Sequence, residues 1–138
     1  MVGFIICTIL AVVVTALMGV LWGGLKPYLE LQAHLRELGG SGSLYFVLQI
    51  VYYFFEMFIA LMIVVFAQKA LELLTLKKKV PWGGIILGLT WGLVHIFTQN
   101  DIAVGLVALV LGVLLGLPYL LLNRNVKWAW LFMALIFI

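Results

Sequence analysis

The stretch Pro81-Trp-Gly-Gly-Ile-Ile-Leu-Gly-Leu-Thr-Trp-Gly-Leu-Val-His95-Ile-Phe-Thr-Gln-Asn-Asp101 combines the length of a membrane span with an ionisable residue. Pro81 suits the first turn of a helix, where its missing N–H costs nothing. Asn100 and Asp101 can end this helix or cap the next one. The sequence therefore predicts a well-bounded helix, and we expect the rest of the chain to pack around it.

One side of this predicted helix has almost no side chains. Gly84, Gly88 and Gly92 recur every four residues, so another backbone can approach closely there. His95 follows Gly92 by about one turn and lies beside the same face. A histidine at membrane depth is costly unless it faces the protein interior and finds a partner, so His95 is a candidate site residue. The alternative is a neutral histidine satisfied by a backbone carbonyl or a tyrosine.

Composition points to an integral membrane protein. The 138 residues are 67% hydrophobic and 9% charged, whereas soluble domains are about half apolar and a quarter charged. The formal charge of +3 comes from lysines beside apolar runs, which indicates orientation and contact with membrane lipids rather than nucleic acid. The single cysteine, Cys7, excludes an intrachain disulfide.

The apolar runs predict an all-α, polytopic transmembrane helical bundle in one domain, residues 1–138. We expect four full spans, an incomplete C-terminal apolar helix and an interfacial helix. The first run lacks a basic start and a cleavage pattern, so we interpret it as a retained helix. The full spans cover about 2–25, 44–68, 81–99 and 102–122; the partial helix covers 128–138 and the interfacial helix 27–38.

The interfacial helix is predicted from its amphipathic pattern. Leucines and a tyrosine keep a helical period, and charged and polar side chains fill the opposite face, so we expect the segment to lie in the membrane interface with His34 solvated. The glycine- and serine-rich residues 39–43 then predict a flexible hinge into the second span.

The second span carries a carboxyl group near its middle. Glu56 shares a helix face with Gln49, Tyr52 and Tyr53. A central carboxylate costs roughly 3 kcal/mol on insertion scales, so Glu56 must be paired, hydrated or protonated. Its alternative role is that of a neutral acid donating to a nearby carbonyl. The fourth span has a small-residue face for close packing, made by Gly105, Ala108, Gly112 and Gly116.

Lysine and arginine counts predict the orientation. If the four spans alternate, six of these residues fall on the side of the N-terminus and two on the other side. Because basic residues are retained in the cytoplasm, we place the N-terminus there, with the chain in the plasma membrane.

These residues resemble motifs of the intramembrane CAAX-protease and bacteriocin-processing family, also called Abi. That family has a Glu-Glu-x-x-x-Arg motif, a Phe-x-x-x-His motif, a glycine-rich helix ending in tyrosine, and a final His-x-x-x-Asn motif. Here Trp91-Gly-Leu-Val-His95 resembles the second motif, and Gly112-Val-Leu-Leu-Gly116-Leu-Pro-Tyr119 resembles the glycine-rich helix. The similarity covers about residues 44–138, and it depends on the order and spacing of the motifs.

The chain also departs from the family pattern. The first motif keeps only Glu56, and its arginine would fall at Ala60 or Leu61. The final histidine and asparagine would fall at Ala134 and Ile138. The resemblance implies that Glu56 and His95 would activate water, but nothing visible would stabilise the tetrahedral anion. Losing such a donor costs about 10²–10³ in rate in other hydrolases.

The resulting candidate site pairs Glu56 with His95 as the catalytic residues, and we expect them to be near neighbours bridged directly, by water, or by a tyrosine. No cofactor is expected, and two ligands are too few for a catalytic zinc site. The expected pocket residues are Gln49, Tyr52, Tyr53, Trp91, Thr98 and Gln99.

Three functions stay open at this point. The first is a non-catalytic family member that binds another membrane protein, a lipidic ligand or a peptide around Glu56 and His95. The second is an active intramembrane peptidase that uses these two residues. The third is a small structural subunit of a larger membrane complex.

Overall fold

The computed structural model describes residues 1–138, and it is all-helical. A 3-10 turn, Gly39–Ser41, joins the second helix to the third. The six helices are α1 (Val2–Trp22), α2 (Lys26–Leu38), α3 (Gly42–Thr75), α4 (Trp82–Gln99), α5 (Ile102–Leu121) and α6 (Val126–Phe137).

Three stretches are long and apolar enough to cross a membrane: Val2–Trp22, Lys26–Thr75 and Ile102–Leu121. The predicted four full spans are therefore not all confirmed, since α4 is not among these three stretches. Its glycines, together with His95 and Gln99, dilute its apolar character. The helix that contains the second predicted span, residues 44–68, extends beyond it at both ends. α3 has 34 residues, which makes it about 51 Å long at 1.5 Å per residue.

α4 and α5 form an antiparallel pair whose glycine faces meet. Gly84 lies against Gly116, Gly88 against Gly112, and Gly92 against the Gly105 carbonyl oxygen. A Cβ atom added to Gly88 would lie 2.5 Å from the Leu109 carbonyl oxygen, which is closer than real Cβ contacts allow. The absence of side chains at these positions is thus what lets the two backbones touch.

α3 and α6 complete the bundle around this pair. Met57 and Leu61 of α3, Leu115 of α5 and Met133 of α6 are fully buried in one apolar cluster. α6 contacts α1, α3 and α5. The predicted C-terminal helix is therefore present, although it begins at Val126 rather than at residue 128.

Gln68 is a buried polar anchor between α3 and α4. Its side-chain nitrogen donates to the Val80 carbonyl oxygen at 2.9 Å and to Glu72 Oε1 at 2.7 Å. Its side-chain oxygen accepts from the backbone N–H of Gly83 at 2.9 Å. This single amide satisfies a backbone carbonyl in the α3–α4 turn and a backbone N–H in the first turn of α4.

Replacing Gln68 with leucine is therefore expected to destabilise the fold. Because the buried N–H of Gly83 would lose its acceptor, we expect a loss of about 1–3 kcal/mol in the free energy of unfolding. Reversible unfolding in mixed micelles measures this quantity. Gln99→Leu is the matched control, because Gln99 is exposed at the end of α4. Equal stability of the two variants would contradict the anchoring role.

The segment predicted to form an interfacial helix is helical and packs along α3. The residues expected to form a flexible hinge make the 3-10 turn and the first turn of α3, and Gly42 packs against the His34 carbonyl group. α2 folds back along α3, with residue 30 beside residue 53 and residue 34 beside residue 49. α2 is therefore half of a helical hairpin, and the predicted interfacial helix is not confirmed.

The faces of α2 also differ in part from the prediction. Glu30 and His34, expected to face water, are partly buried against α3. Tyr28, Leu35 and Leu38, expected to be the buried face, are exposed, and Tyr28 is 60% exposed. Arg36 and Glu37, on the same predicted polar face, are exposed.

Candidate functional site

A cleft between α3 and α4 contains the most prominent candidate residue, Glu56. It encloses about 210 Å³ and opens at the side of the bundle, where Ile59 and Val94 are more than half exposed. Apart from Glu56 and Thr90, its walls are apolar. The lining residues are Glu56, Ile59, Ala60, Ile63, Leu87, Thr90, Trp91 and Val94.

Helical spacing brings these side chains together. Glu56, Ile59, Ala60 and Ile63 follow one another at steps of three, one and three residues, so they share one face of α3. The α4 wall is built in the same way from residues 87, 90, 91 and 94. Gly83 allows the two helices to close beneath the cleft, because its backbone lies against the Val64 carbonyl group.

The Glu56 carboxyl group has no hydrogen-bond partner within the chain, and the one salt bridge of the protein joins Arg124 to Glu72. It is half-buried. Lys26 and His95 are the charged or ionisable groups that act on it through space. The alternative of a neutral acid donating to a neighbouring carbonyl is therefore not what the structure shows.

His95 satisfies one of its nitrogens on its own helix. Its Nδ1 lies 2.9 Å from the Trp91 carbonyl oxygen, and its ring packs at 5.9 Å from the Trp91 ring. No hydrogen bond joins His95 to Glu56, either directly or through a tyrosine, and His95 does not line the cleft. The predicted direct or tyrosine bridge is absent: His95 bonds the Trp91 carbonyl oxygen, and Tyr53 bonds Gln49 and Glu30.

Two of the expected pocket residues belong to a separate polar network between α2 and α3. His34 Nε2 donates to Gln49 Oε1 at 2.6 Å, and the Gln49 amide nitrogen donates to the Tyr53 hydroxyl oxygen at 2.6 Å. The Tyr53 hydroxyl then donates to Glu30 Oε1, also at 2.6 Å. In this series of hydrogen bonds, every donor points toward Glu30. The other carboxyl oxygen of Glu30, the buried Oε2, has no partner.

Lys26 lies between this network and the C-terminal end of α6. Its ammonium group donates to the Phe137 carbonyl oxygen at 3.0 Å. It also lies 3.7 Å from the centroid of the Phe137 ring and 4.1 Å from that of Tyr53. A cation held over two aromatic faces is stabilised without an ion pair. The sequence offered one signal for this role, a lone lysine at the start of a helix.

The remaining expected pocket residues are spread apart. Trp91 lines the cleft, as expected. Tyr52 is 59% exposed, and Thr98 and Gln99 are exposed at the end of α4, so none of these three lines it. Sequence reasoning missed Thr90, whose hydroxyl group donates to the Ile86 carbonyl oxygen at 2.8 Å. A threonine that satisfies itself within its own helix gives no sequence signal of a cleft.

The cleft offers a ligand one carboxyl group, that of Glu56, in apolar surroundings. No three His, Cys, Asp or Glu side chains come together in a way that could hold a metal ion. Ala134 is buried in the apolar core.

These features define an all-helical protein with several long apolar helices that fit a membrane, and with a carboxyl-bearing cleft in its side. Comparison with protein-family models, with curated proteins and with solved structures finds no match to the chain.

Proposed function

We propose that this protein is a non-catalytic membrane protein that binds a transmembrane segment of a partner in the α3–α4 cleft. The observation that carries the proposal is the Glu56 carboxyl group, which faces an apolar cleft and has no hydrogen-bond partner of its own. Ionisable groups within membrane segments pair with one another or with backbone carbonyls, and they mark functional sites. A partner segment would supply the missing group.

The same geometry argues against efficient peptide hydrolysis. The resemblance to the CAAX-protease and bacteriocin-processing family supports a common architecture, with Glu56 and His95 at two of the motif positions. Hydrolysis also needs a donor aimed at the developing oxyanion. The family positions for that donor hold Ala134 and Ile138, whose side chains cannot donate. His95, with one nitrogen on the Trp91 carbonyl group, is not hydrogen-bonded to Glu56.

A peptidase assay separates binding from catalysis. Purified protein in liposomes is incubated with a peptide library, and cleavage is followed by mass spectrometry. We expect no cleavage above background by either the wild type or Glu56→Gln, because the site lacks catalytic activity. Glu56→Gln is a suitable control because the amide keeps the shape of the carboxyl group. Cleavage by the wild type that disappears in Glu56→Gln would establish the peptidase instead.

Binding at the cleft is tested separately by photocrosslinking in native membranes. A photoreactive residue at Val94, on the rim of the cleft, is expected to capture a defined membrane protein. The same residue at Leu106, exposed on α5 and outside the cleft, is the control position. Crosslinks to lipid alone at both positions would contradict the proposal. A partner captured equally from both positions would point to a structural subunit without a specific cleft.

The proposed orientation places the N-terminus and the basic turns of the bundle in the cytoplasm, in accordance with the excess of Lys and Arg there. Arg124, in the α5–α6 turn, bonds Glu72 at the end of α3, so both lie at the basic end. The α2–α3 turn lies at the other end of α3.

Cysteine labelling tests this orientation. Single cysteines at residues 77–79 should be shielded from an impermeant thiol reagent in intact cells and should label after permeabilisation. Cysteines at residues 40, 41 and 43, which are exposed, should label in intact cells. The native Cys7 is buried and should contribute little background. The reverse labelling pattern would overturn the orientation.

A further inference from the structure

The size of the cleft restricts what can enter it. Pockets for small molecules usually enclose about 300–1,000 Å³, whereas this cleft encloses about 210 Å³. It is also open along the side of the bundle, between the exposed Ile59 and Val94. A space of this size and shape fits one side chain presented by a neighbouring helix better than it fits a whole lipid.

The charges of the surrounding residues restrict the chemistry of that side chain. Lys26 is the nearby cation, but its ammonium group is held by the Phe137 carbonyl oxygen and by two aromatic rings, and it forms no salt bridge. Glu30 already accepts from Tyr53. His95 Nδ1 is held by Trp91. The Lys26 ammonium group, Glu30 Oε1 and His95 Nδ1 are therefore bonded elsewhere, and the carboxyl group at the cleft lacks a hydrogen-bond partner.

We propose that a lysine or arginine side chain of a partner transmembrane helix enters the cleft and pairs with Glu56. This inference depends on the proposed binding function and names the chemistry of the partner. The apolar walls formed by Ile59, Leu87 and Trp91 would cover the methylene groups of such a side chain, while its charged end reaches the carboxyl group. The pairing would remove the cost of two unpaired charges in the membrane at once.

The α4 wall of the cleft sets the depth of the partner's basic residue. The lining residues 87–94 occupy the middle of the 18-residue helix α4. A basic residue near the centre of a partner span of about 20 residues would therefore reach Glu56. A basic residue at the end of the span would instead extend toward the headgroups.

Synthetic transmembrane peptides test this proposal directly. Peptides of leucine and alanine carry a single Lys, Gln or Leu at the centre, or a single Lys near one end. Energy transfer between labelled peptide and labelled protein in phosphatidylcholine vesicles measures association. We expect the central-Lys peptide to bind at least about tenfold more tightly than the central-Leu peptide, and Glu56→Gln to remove this preference. Glu37→Gln, which changes an exposed carboxyl group on α2, should leave the preference intact.

The other outcomes separate this inference from the proposed function. Val94→Trp fills the mouth of the cleft at an exposed position, so it should not disturb folding. If all central peptides bind equally and Val94→Trp blocks them, the cleft binds helices but the charge pairing is wrong. If the Gln peptide binds as tightly as the Lys peptide, a neutral hydrogen bond replaces the proposed pair. If Val94→Trp leaves binding unchanged, both the inference and the proposed function fail.

Discussion

Gly88→Leu and Gly112→Leu are each expected to destabilise the bundle by about 3 kcal/mol or more, at the upper end of overpacking effects. A Cβ at Gly112 would lie 2.6 Å from the Cα of Gly88, so even alanine forces the two backbones apart. The contact involves backbone on both helices, and no flexible side chain can move aside. Steric-trap or denaturant unfolding in bicelles measures the loss.

Two controls separate this effect from ordinary side-chain changes. Leu93→Ala removes apolar volume from an exposed position on α4 and should have little effect. Gly19→Ala adds a methyl group on α1, where the nearest atom is 3.8 Å away, so it should be neutral or slightly stabilising. If Gly88→Leu has the same free energy of unfolding as either control, the close α4–α5 contact is not what holds the bundle together.

Tyr53→Phe is expected to loosen α2 from α3. The change removes the hydroxyl group that donates to Glu30 and accepts from Gln49. Both oxygens of the Glu30 carboxyl group would then lack a partner inside the protein. Leaving such groups unsatisfied costs about 1–3 kcal/mol each, so the amides of α2 should exchange hydrogen at least about tenfold faster. Hydrogen–deuterium exchange with mass spectrometry measures this rate.

Tyr52→Phe is the matched control for this experiment. Tyr52 is the adjacent residue, it is largely exposed, and its hydroxyl group makes no hydrogen bond within the chain. The two variants therefore remove the same atom from neighbouring positions. Equal exchange in both would mean that apolar contacts, rather than the hydrogen-bonded chain, hold α2 in place. Faster exchange confined to the amides of α4 or α5 would likewise argue against the role of this hydrogen-bond network.

The helical class and most helix positions follow from the sequence because they depend on local properties. Length, hydropathy and the spacing of Gly84, Gly88, Gly112 and Gly116 are visible along the chain, and each acts through its own helix. The unusual position of Glu56 was also visible, since a carboxyl group in an apolar run is rare and costly. Its location in a lateral cleft was not predicted.

The composition of the site could not be predicted because it depends on how helices rotate against one another. Glu56, Gln49 and Tyr53 share one face of α3, so the sequence grouped them into a single pocket. In the fold, the part of that face with Gln49 and Tyr53 contacts α2, whereas the part with Glu56 faces α4. One polar stripe is therefore divided between two neighbours, and His95 turns toward its own helix.

By itself, the sequence determined that this chain is all-helical and apolar, that glycines permit close helix contact, and that Glu56 requires an explanation. The tertiary structure decided which glycine face meets which, that Glu30 and His34 of α2 contact α3, and that Glu56 opens onto a cleft. The physical reason is that hydrophobicity and helix period are properties of a segment. The partner of a polar group is instead set by whichever neighbouring helix offers a hydrogen bond, and for Glu30 and His34 of α2 that helix is α3.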